Sequence, residues 1–211
     1  RAIDDQTSVA RTLNLMGDAY WGQGDYPKAA IICEEGLTIS RAVNDQRGIA
    51  RSLNRLGMVS SETGDYATAV QRLEESLRYV GEINDLEGCA MVINNLGTVS
   101  YAQGDYPGAR RYFSESLTIW QTVGDRRQSA ISLMNLGSVA GEQGDFESAT
   151  RYFQETLETC RAIGNRRVGT MALDKVGFVA EIKGEYPSAT RDFEASLALD
   201  RERGNRRGRE T

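Results

Sequence analysis

"LGTVSYAQGDYPGA", from Leu96 to Ala109, decides the fold, because variants of it stand at four other places in the chain of 211 residues. Every copy has a glycine seven residues before a Gly-Asp or Gly-Glu pair, and an alanine closes it. The leading glycines recur in steps of 40 residues, at Gly17, Gly57, Gly97, Gly137 and Gly177. A constant period of about 20 to 50 residues is typical of repeat proteins, so each copy predicts one structural unit.

Each 40-residue unit predicts two amphipathic helices, which we call helix A and helix B. In residues 45–84, Ile49, Leu53 and Leu56 recur at the three- and four-residue spacing of a helix that buries one face. A second stripe, which includes Tyr66 and Leu73, follows the Gly-Asp pair. We therefore expect a helical hairpin in every repeat.

The turns carry the sequence signals of helix ends. The glycine of each Gly-Asp or Gly-Glu pair can adopt the left-handed conformation that ends helix A, and the acidic residue after it can cap helix B. All three prolines follow that acidic residue by two positions, where no N–H is needed: Pro27, Pro107 and Pro187. Similar pairs at 44/45, 84/85, 124/125, 164/165 and 204/205 predict the turns from helix B to the next helix A.

The leading glycine of each copy lies inside helix A, where it costs about 1 kcal/mol relative to alanine. A packing reason should therefore exist. We expect close approach of helix B, which offers a small residue at Ala29, Ala69, Ala109, Ala149 and Ala189.

The motif resembles the tetratricopeptide repeat: Leu or Val, Gly, a spaced Gly-Asp-Tyr-x-x-Ala, a large residue such as Leu73 or Phe113, and a small one such as Ser76 or Ser116. The period of 40 is similar to that of kinesin light chains, Pins-type polarity adaptors and bacterial multidomain regulators. The resemblance implies an all-α, right-handed superhelical solenoid of five antiparallel hairpins, with helix A lining the concave side. The sequence departs from the family pattern at the helix A aromatic, which is Tyr20 in the first repeat but serine or alanine afterwards.

The repeat register divides the chain. Residues 1–4 match the end of a helix B, the five repeats are 5–44, 45–84, 85–124, 125–164 and 165–204, and residues 205–211 form a degenerate tail. Because the chain opens on Arg1 instead of Met, we expect it to be part of a longer protein. The last helix B keeps Phe193 and Leu197 without a clear capping helix, which predicts end-to-end self-association.

Composition narrows the classes of function. A net charge of −5 and a pI near 5.0 give no general attraction to nucleic acid or to an anionic membrane. The chain has no histidine, no phosphate-binding or dinucleotide motif, and glutamates whose repetition predicts surface ion pairs. Cys33, Cys89 and Cys160 occupy slots that other repeats fill with apolar residues. We therefore expect no catalysis, no cofactor and no metal, and a reducing, cytoplasmic location.

Asparagine and arginine cluster at helix A positions that packing does not need. Amides donate and accept hydrogen bonds, which suits a peptide backbone, and arginine suits a carboxylate. Hydrogen bonding between the helices of the solenoid is the alternative explanation, and both remain open. The predicted binding residues are Arg11, Asn14, Arg51, Asn54, Arg55, Asn94, Asn95, Thr98, Tyr101 and Asn135.

Two functions fit these observations. The first is a protein or peptide scaffold that binds acidic or C-terminal carboxylate groups in the concave helix A groove, with nucleic acid disfavoured. The second is a ligand- or partner-sensing module of a bacterial-type signalling or transcription regulator, attached to an ATPase, DNA-binding or effector domain.

Overall fold

The computed structural model describes the backbone of residues 2–207 and the side chains of residues 5–201. Within that range the chain forms ten helices and no strand. In chain order they are α1 (Ala2–Gly22), α2 (Tyr26–Ala42), α3 (Gln46–Glu62), α4 (Tyr66–Glu82), α5 (Leu86–Ala102), α6 (Tyr106–Val123), α7 (Arg126–Glu142), α8 (Phe146–Ile163), α9 (Arg166–Ile182) and α10 (Tyr186–Arg207).

The predicted ends of helix A are confirmed. The glycine of every Gly-Asp or Gly-Glu pair has a positive φ between +76° and +84°, which a residue with a Cβ rarely adopts. The next residue caps helix B: the carboxylates of Asp25, Asp65, Asp105 and Asp145 each accept the backbone N–H three residues later, at 3.0–3.2 Å. Glu185 differs, because its longer side chain pairs with Lys183 instead, at 3.0 Å.

The turns from helix B to helix A use the same chemistry. Asn44 and Asn84 have φ of +56° and +53°, and glycine takes the left-handed conformation at 124 and 164. The caps Asp45, Asp85, Asp125 and Asn165 accept N–H groups at 2.9–3.3 Å.

The chain divides into two compact units, residues 1–112 and 113–211. In the first unit, α1 packs on α2, α2 on α3, α3 on α4 and α4 on α5. In the second unit, α7 packs on α8, α8 on α9 and α9 on α10. Each interface buries the apolar stripe that the sequence predicts, with fully buried side chains such as Leu56, Leu73 and Phe153.

The helix A glycines permit close packing, as predicted, but the alanine is only part of the reason. A Cβ added to Gly57 would lie 2.8 Å from Cγ of Leu73 and 3.2 Å from the carbonyl oxygen of Ala69. A Cβ added to Gly137 would lie 2.5 Å from Cε1 of Phe153. The large residue four positions after the alanine therefore fills the space above the glycine.

The structure differs from the sequence interpretation at both ends. Helix α1 passes the boundary expected at Asp5 without a turn, and α10 passes the end expected at 204 and runs to Arg207. The division into repeats stays a prediction; the side chains of 1–4 and 202–211, and all of 208–211, lie outside the described residues.

The ion pairs on the helix surfaces also differ from those that the sequence predicts. Arg111 and Arg151 lie over the rings of Tyr112 and Tyr152, at 4.6 and 5.3 Å, instead of pairing with the glutamates one turn later. In the first unit, pairs link neighbouring B helices: Arg41 to Glu75 at 2.9 Å and Arg72 to Glu34 at 2.8 Å. The predicted core role of the cysteines is confirmed for Cys33 and Cys160, which are buried, whereas Cys89 is half-buried.

Candidate functional site

The A helices of the first three repeats are neighbours in the first unit, since α1 contacts α3 and α3 contacts α5. The 40-residue register therefore aligns their side chains in rows. One row holds Arg11, Arg51 and Met91, and the next holds Asn14, Asn54 and Asn94. These rows contain five of the ten predicted binding residues.

Two asparagines of these rows, together with Asn95 from the adjacent row, connect the helices. Asn14 is 1% exposed, and its Oδ1 accepts the Ser52 hydroxyl at 2.8 Å. Asn54 is 9% exposed, and its Oδ1 accepts Nδ2 of Asn95 at 2.7 Å. These bonds join α1 to α3 and α3 to α5, so the side-chain oxygens of Asn14 and Asn54 serve the packing of the repeats.

The amide nitrogens of the same two residues are poorly satisfied. Within the described part of the chain, Nδ2 of Asn14 is buried and has no hydrogen-bond partner. Nδ2 of Asn54 reaches only the sulfur of Met91, at 3.9 Å, and thioether sulfur is a weak acceptor. Neither amide nitrogen therefore has an oxygen acceptor among the described residues.

Arg55 has a structural environment. Its Nε donates to Oδ1 of Asp18 at 2.6 Å, and its guanidinium lies 4.7 Å from the centre of the Trp21 ring. The Arg55 side chain is only 20% exposed. Because carboxylate and ring already occupy it, Arg55 is less suited to a ligand than the other two predicted arginines.

Arg11 and Arg51 are exposed, and neither makes a hydrogen bond or salt bridge with the residues that the structure describes. They stand at the same position of neighbouring A helices. An unpaired guanidinium keeps all its donors, and two on adjacent helices favour an anionic group, above all a carboxylate.

Both arginines lie in the wall of a cavity of about 420 Å³, which we call the α1/α3/α5 cavity. Such a volume is in the ordinary range for small-molecule sites. Buried apolar side chains form one part of its lining, and charged side chains from the beginnings of α3 and α5 form another. Its lining includes Arg11, Asn14, Arg47, Ala50, Arg51, Asn54, Val80, Glu87, Met91 and Val92.

The remaining predicted residues lie outside this lining. Asn94 and Thr98 are one helical turn apart on α5, where the Thr98 hydroxyl donates to the Asn94 carbonyl at 3.2 Å. Tyr101 packs edge-on against Tyr106, with ring centres 5.7 Å apart. Asn135 is half-buried on α7, in the second unit. The cavity thus unites Arg11, Asn14, Arg51 and Asn54, and leaves the other six predicted residues outside.

The sequence analysis missed two charged residues of the cavity lining, Arg47 and Glu87. They are separated by one repeat period and lie one turn before the arginine row. Extending the rows toward the start of helix A would have found them. Asp45 and Asp85 also line the cavity, but their carboxylates cap α3 and α5.

The second unit has an open cavity of about 560 Å³ between α6, α7 and α8, where Arg126, Glu155 and Glu158 contribute charges. No buried polar atom without a partner is found there among the described residues. Those residues also hold no cluster of His, Cys, Asp or Glu that could bind a metal ion. None of the described helices has both the length and the apolar character needed to span a membrane.

Comparison with known proteins agrees with this architecture. A family model described as tetratricopeptide repeat matches residues 8–80 and 88–162. Among curated proteins, none matches the sequence. The structure of BtubC (BKLC) from P. vanneervenii is similar with a TM-score of 0.80 and 17% identity, over 94% of this chain and 82% of that one. A Podosopora anserina protein assigned to the kinesin light chains, with nearly identical TPR-like repeats, has a TM-score of 0.71 and 13% identity. That match covers 93% of this chain and 97% of the other.

A third similar structure is the Rap conjugation gene regulator of the plasmid pLS20 in complex with the Phr* peptide. Its TM-score is 0.76 at 18% identity, and the match covers 88% of this chain but 52% of that one. At such identities the similarity concerns the fold alone, which is an all-α repeat solenoid.

Proposed function

Because the chain belongs to the tetratricopeptide repeat family, we propose that it is an interaction scaffold that binds a protein or peptide along the A helices of its first three repeats. The observation that carries this proposal is a pair of exposed arginines, Arg11 and Arg51, at the wall of the α1/α3/α5 cavity, neither of which has a hydrogen bond or salt bridge to a described residue. The ligand presents an acidic side chain or a C-terminal carboxylate to this pair.

The polar surroundings support a peptide over other anions. The amide nitrogens of Asn14 and Asn54 offer donors to backbone carbonyls. Asp45, Asp85 and Glu87 stand in the same lining and would repel a polyanion such as nucleic acid. A ligand with one carboxylate and several amide groups fits this distribution of charge best.

The test uses peptides selected by display against the whole chain, measured by fluorescence anisotropy. We expect Arg51→Glu to weaken their binding by about tenfold or more, because a repelling carboxylate replaces a cation at the site. Arg78→Glu, on the exposed face of α4 and outside the cavity, is the matched control. Circular dichroism verifies that both variants keep their helices. Equal binding by Arg51→Glu and the parent chain would refute the use of this groove.

A second candidate function is a sensing module within a longer regulator, which binds a peptide and changes the state of an attached domain. The similarity to the Rap regulator that was solved with the Phr* peptide favours it, and this chain matches about half of that protein. The test joins the chain to its natural neighbouring domain and adds a selected peptide. A change in the activity of that domain would support the sensing module, whereas unchanged activity would favour the scaffold.

We place the protein in the cytoplasm, which suits its three free cysteines, and assign it no catalysis of its own, in keeping with the lack of histidine.

We also propose end-to-end association. Phe193 and Leu197 are 38% and 49% exposed, whereas their counterparts Phe153 and Leu157 are 2% and 7% exposed. Light scattering should show a mass that rises with concentration, and Leu197→Glu should abolish the rise.

A further inference from the structure

The turns that lead into α7 and α9, in the second unit, carry a dense group of arginines. Arg126 and Arg127 are the first two residues of α7, Arg161 lies in the last turn of α8, and Arg167 is the second residue of α9. All four are exposed, and none makes a hydrogen bond or salt bridge with the residues that the structure describes. We call these four residues the arginine edge.

The fold brings the arginine edge to one end of the second unit. A turn of two residues joins α8 to α9, so the end of α8 lies beside the start of α9. The first unit shows how closely the starts of successive A helices approach: Nε of Arg47, the second residue of α3, lies 3.7 Å from Oδ2 of Asp85, the cap of α5. Arg127 holds the position of Arg47, and α7 contacts α9 as α3 contacts α5. The same register therefore places Arg127 next to the start of α9, which carries Arg167.

The second unit lacks the carboxylates that stand at these positions in the first unit. Asn165 replaces Asp85 and caps α9 with an uncharged oxygen, 3.3 Å from the Val168 nitrogen. The position of Glu87 is occupied by arginine in the next two repeats. Cations at the start of a helix are also disfavoured by the helix dipole. The arginine edge therefore does not improve the stability of the chain by itself, whereas it would attract an anionic partner.

The surroundings of the arginine edge favour one kind of anion. Arginine binds a carboxylate through two parallel N–H···O bonds, so several arginines suit a run of acidic side chains. Arg126 also lines the open cavity between α6, α7 and α8, to which Glu155 and Glu158 contribute carboxylates. Both glutamates are exposed and would repel the continuous phosphate chain of a nucleic acid. A short acidic segment of a protein fits this distribution of charge better.

From these observations we infer that the arginine edge docks a short segment of a partner protein that is rich in aspartate and glutamate. Carboxylates of the segment bind the guanidinium groups of Arg127 and Arg167, and Arg126 and Arg161 add to the positive charge of the surface. The arginine edge shares no residue with the α1/α3/α5 cavity. The inference therefore goes beyond the proposed function and does not depend on Arg51.

The test measures binding of an acidic hexapeptide, Glu-Asp-Glu-Asp-Glu-Asp with a fluorescein label and an amidated C-terminus, to the whole chain by fluorescence anisotropy. We expect Arg127→Gln combined with Arg167→Gln to weaken binding by about tenfold or more, because charge-assisted contacts are lost. The matched control combines Arg78→Gln on α4 with Lys175→Gln on α9. It removes the same charge from exposed positions outside the arginine edge and should bind as the parent chain does.

Thermal unfolding separates a lost contact from a lost fold. Because cations are unfavourable at the starts of α7 and α9, the double variant at the arginine edge should keep or raise the unfolding midpoint of the parent chain. Weaker binding at an unchanged or higher midpoint supports the inference. Binding by the parent chain should also weaken as the salt concentration rises, since the arginines are exposed.

The outcomes separate this inference from the proposed function. If Arg51→Glu abolishes binding of the hexapeptide and the double variant at the arginine edge does not, the peptide uses the α1/α3/α5 cavity, so the inference is overturned and the proposed function is supported. Equal weakening by the double variant and the control would indicate attraction to net charge alone and would overturn the inference, as would a hexapeptide that does not bind. Tighter binding of single-stranded oligothymidylate, with the same dependence on Arg127 and Arg167, would assign the surface to nucleic acid instead.

Discussion

Arg55 on α3 donates to Asp18 on α1 across 2.6 Å, and this contact links the first two A helices beside the candidate cavity. The sequence analysis places Arg55 among the predicted binding residues. The structure shows a contact between repeats instead, reinforced by the ring of Trp21. The stability of the hairpin stack should therefore depend on it.

We expect Asp18→Asn to lower the free energy of unfolding by about 1 kcal/mol, between the values for exposed ion pairs and for charged hydrogen bonds in partly buried places. Urea denaturation measures this change. The double-mutant cycle with Arg55→Met should give a coupling energy of similar size that decreases at high salt. Additive effects of the two substitutions would show that the pair contributes nothing to folding.

Gly57→Ala should destabilise the chain although alanine is the better helix former. The new Cβ would lie 2.8 Å from Cγ of Leu73, and this crowding costs about 1–3 kcal/mol, more than the gain of about 1 kcal/mol in helix propensity. Gly81→Ala in α4 is the matched control, since nothing lies within 4 Å of its added Cβ and its φ is not positive. Thermal unfolding should move in opposite directions for the two variants.

Substituting alanine for each of two buried serines should have different effects on stability. The Ser40 hydroxyl has no partner among the described residues, in a slot that Val80 and Cys160 fill in other repeats. Ser40→Ala should leave stability unchanged or raise it by up to about 1 kcal/mol. The Ser76 hydroxyl donates to the Ala50 carbonyl at 2.8 Å, so Ser76→Ala should lower stability by about 1 kcal/mol. Equal effects in urea titrations would contradict the assignment of the two hydroxyls.

The Asp65 carboxylate, which caps α4, should make the stability of the chain depend on pH. Hydrogen bonds from the Thr68 side chain and backbone lower the pKa of Asp65 from its usual 3.8. A carboxyl whose pKa is lowered on folding contributes stability above the unfolded value, and the contribution is lost as the pH falls through the folded value. Urea midpoints below about pH 4 should therefore decrease less in Asp65→Asn, which keeps an effective cap without a titrating group.

The cysteines should differ in reactivity. Burial raises the pKa of Cys33 to about 11, and burial also raises the pKa of Cys160. Since the thiolate is the reactive form, both should resist alkylation at pH 8 until the chain unfolds. Cys89 is half-buried and should react first, although its pKa is raised as well. Intact-protein mass spectrometry counts the labels, and rapid labelling at all three positions would contradict the packing of α2 and α8.

The sequence by itself determined the pairing of helices into hairpins and the residues at the turns between them, although α1 and α10 pass the boundaries expected at Asp5 and 204. The reason is that these features depend on local chemistry repeated five times: glycine in the left-handed conformation, a side-chain cap and an apolar stripe of helical period. It also predicted binding residues on helix A, four of which line the α1/α3/α5 cavity. The repeat register could not say which of them meet a neighbouring repeat.

Only the tertiary structure decided how those residues are used. Asn14, Asn54 and Arg55 hold equivalent or adjacent positions in the repeat, and their side chains bond to the A helix of a neighbouring repeat. Arg11 and Arg51 make no hydrogen bond or salt bridge to the residues that the structure describes. Whether a polar side chain finds a partner depends on which residue the neighbouring helix brings within about 3 Å, a distance that no pattern along one chain segment specifies. The α1/α3/α5 cavity arises in the same way, from three helices that are 40 residues apart in sequence and adjacent in space.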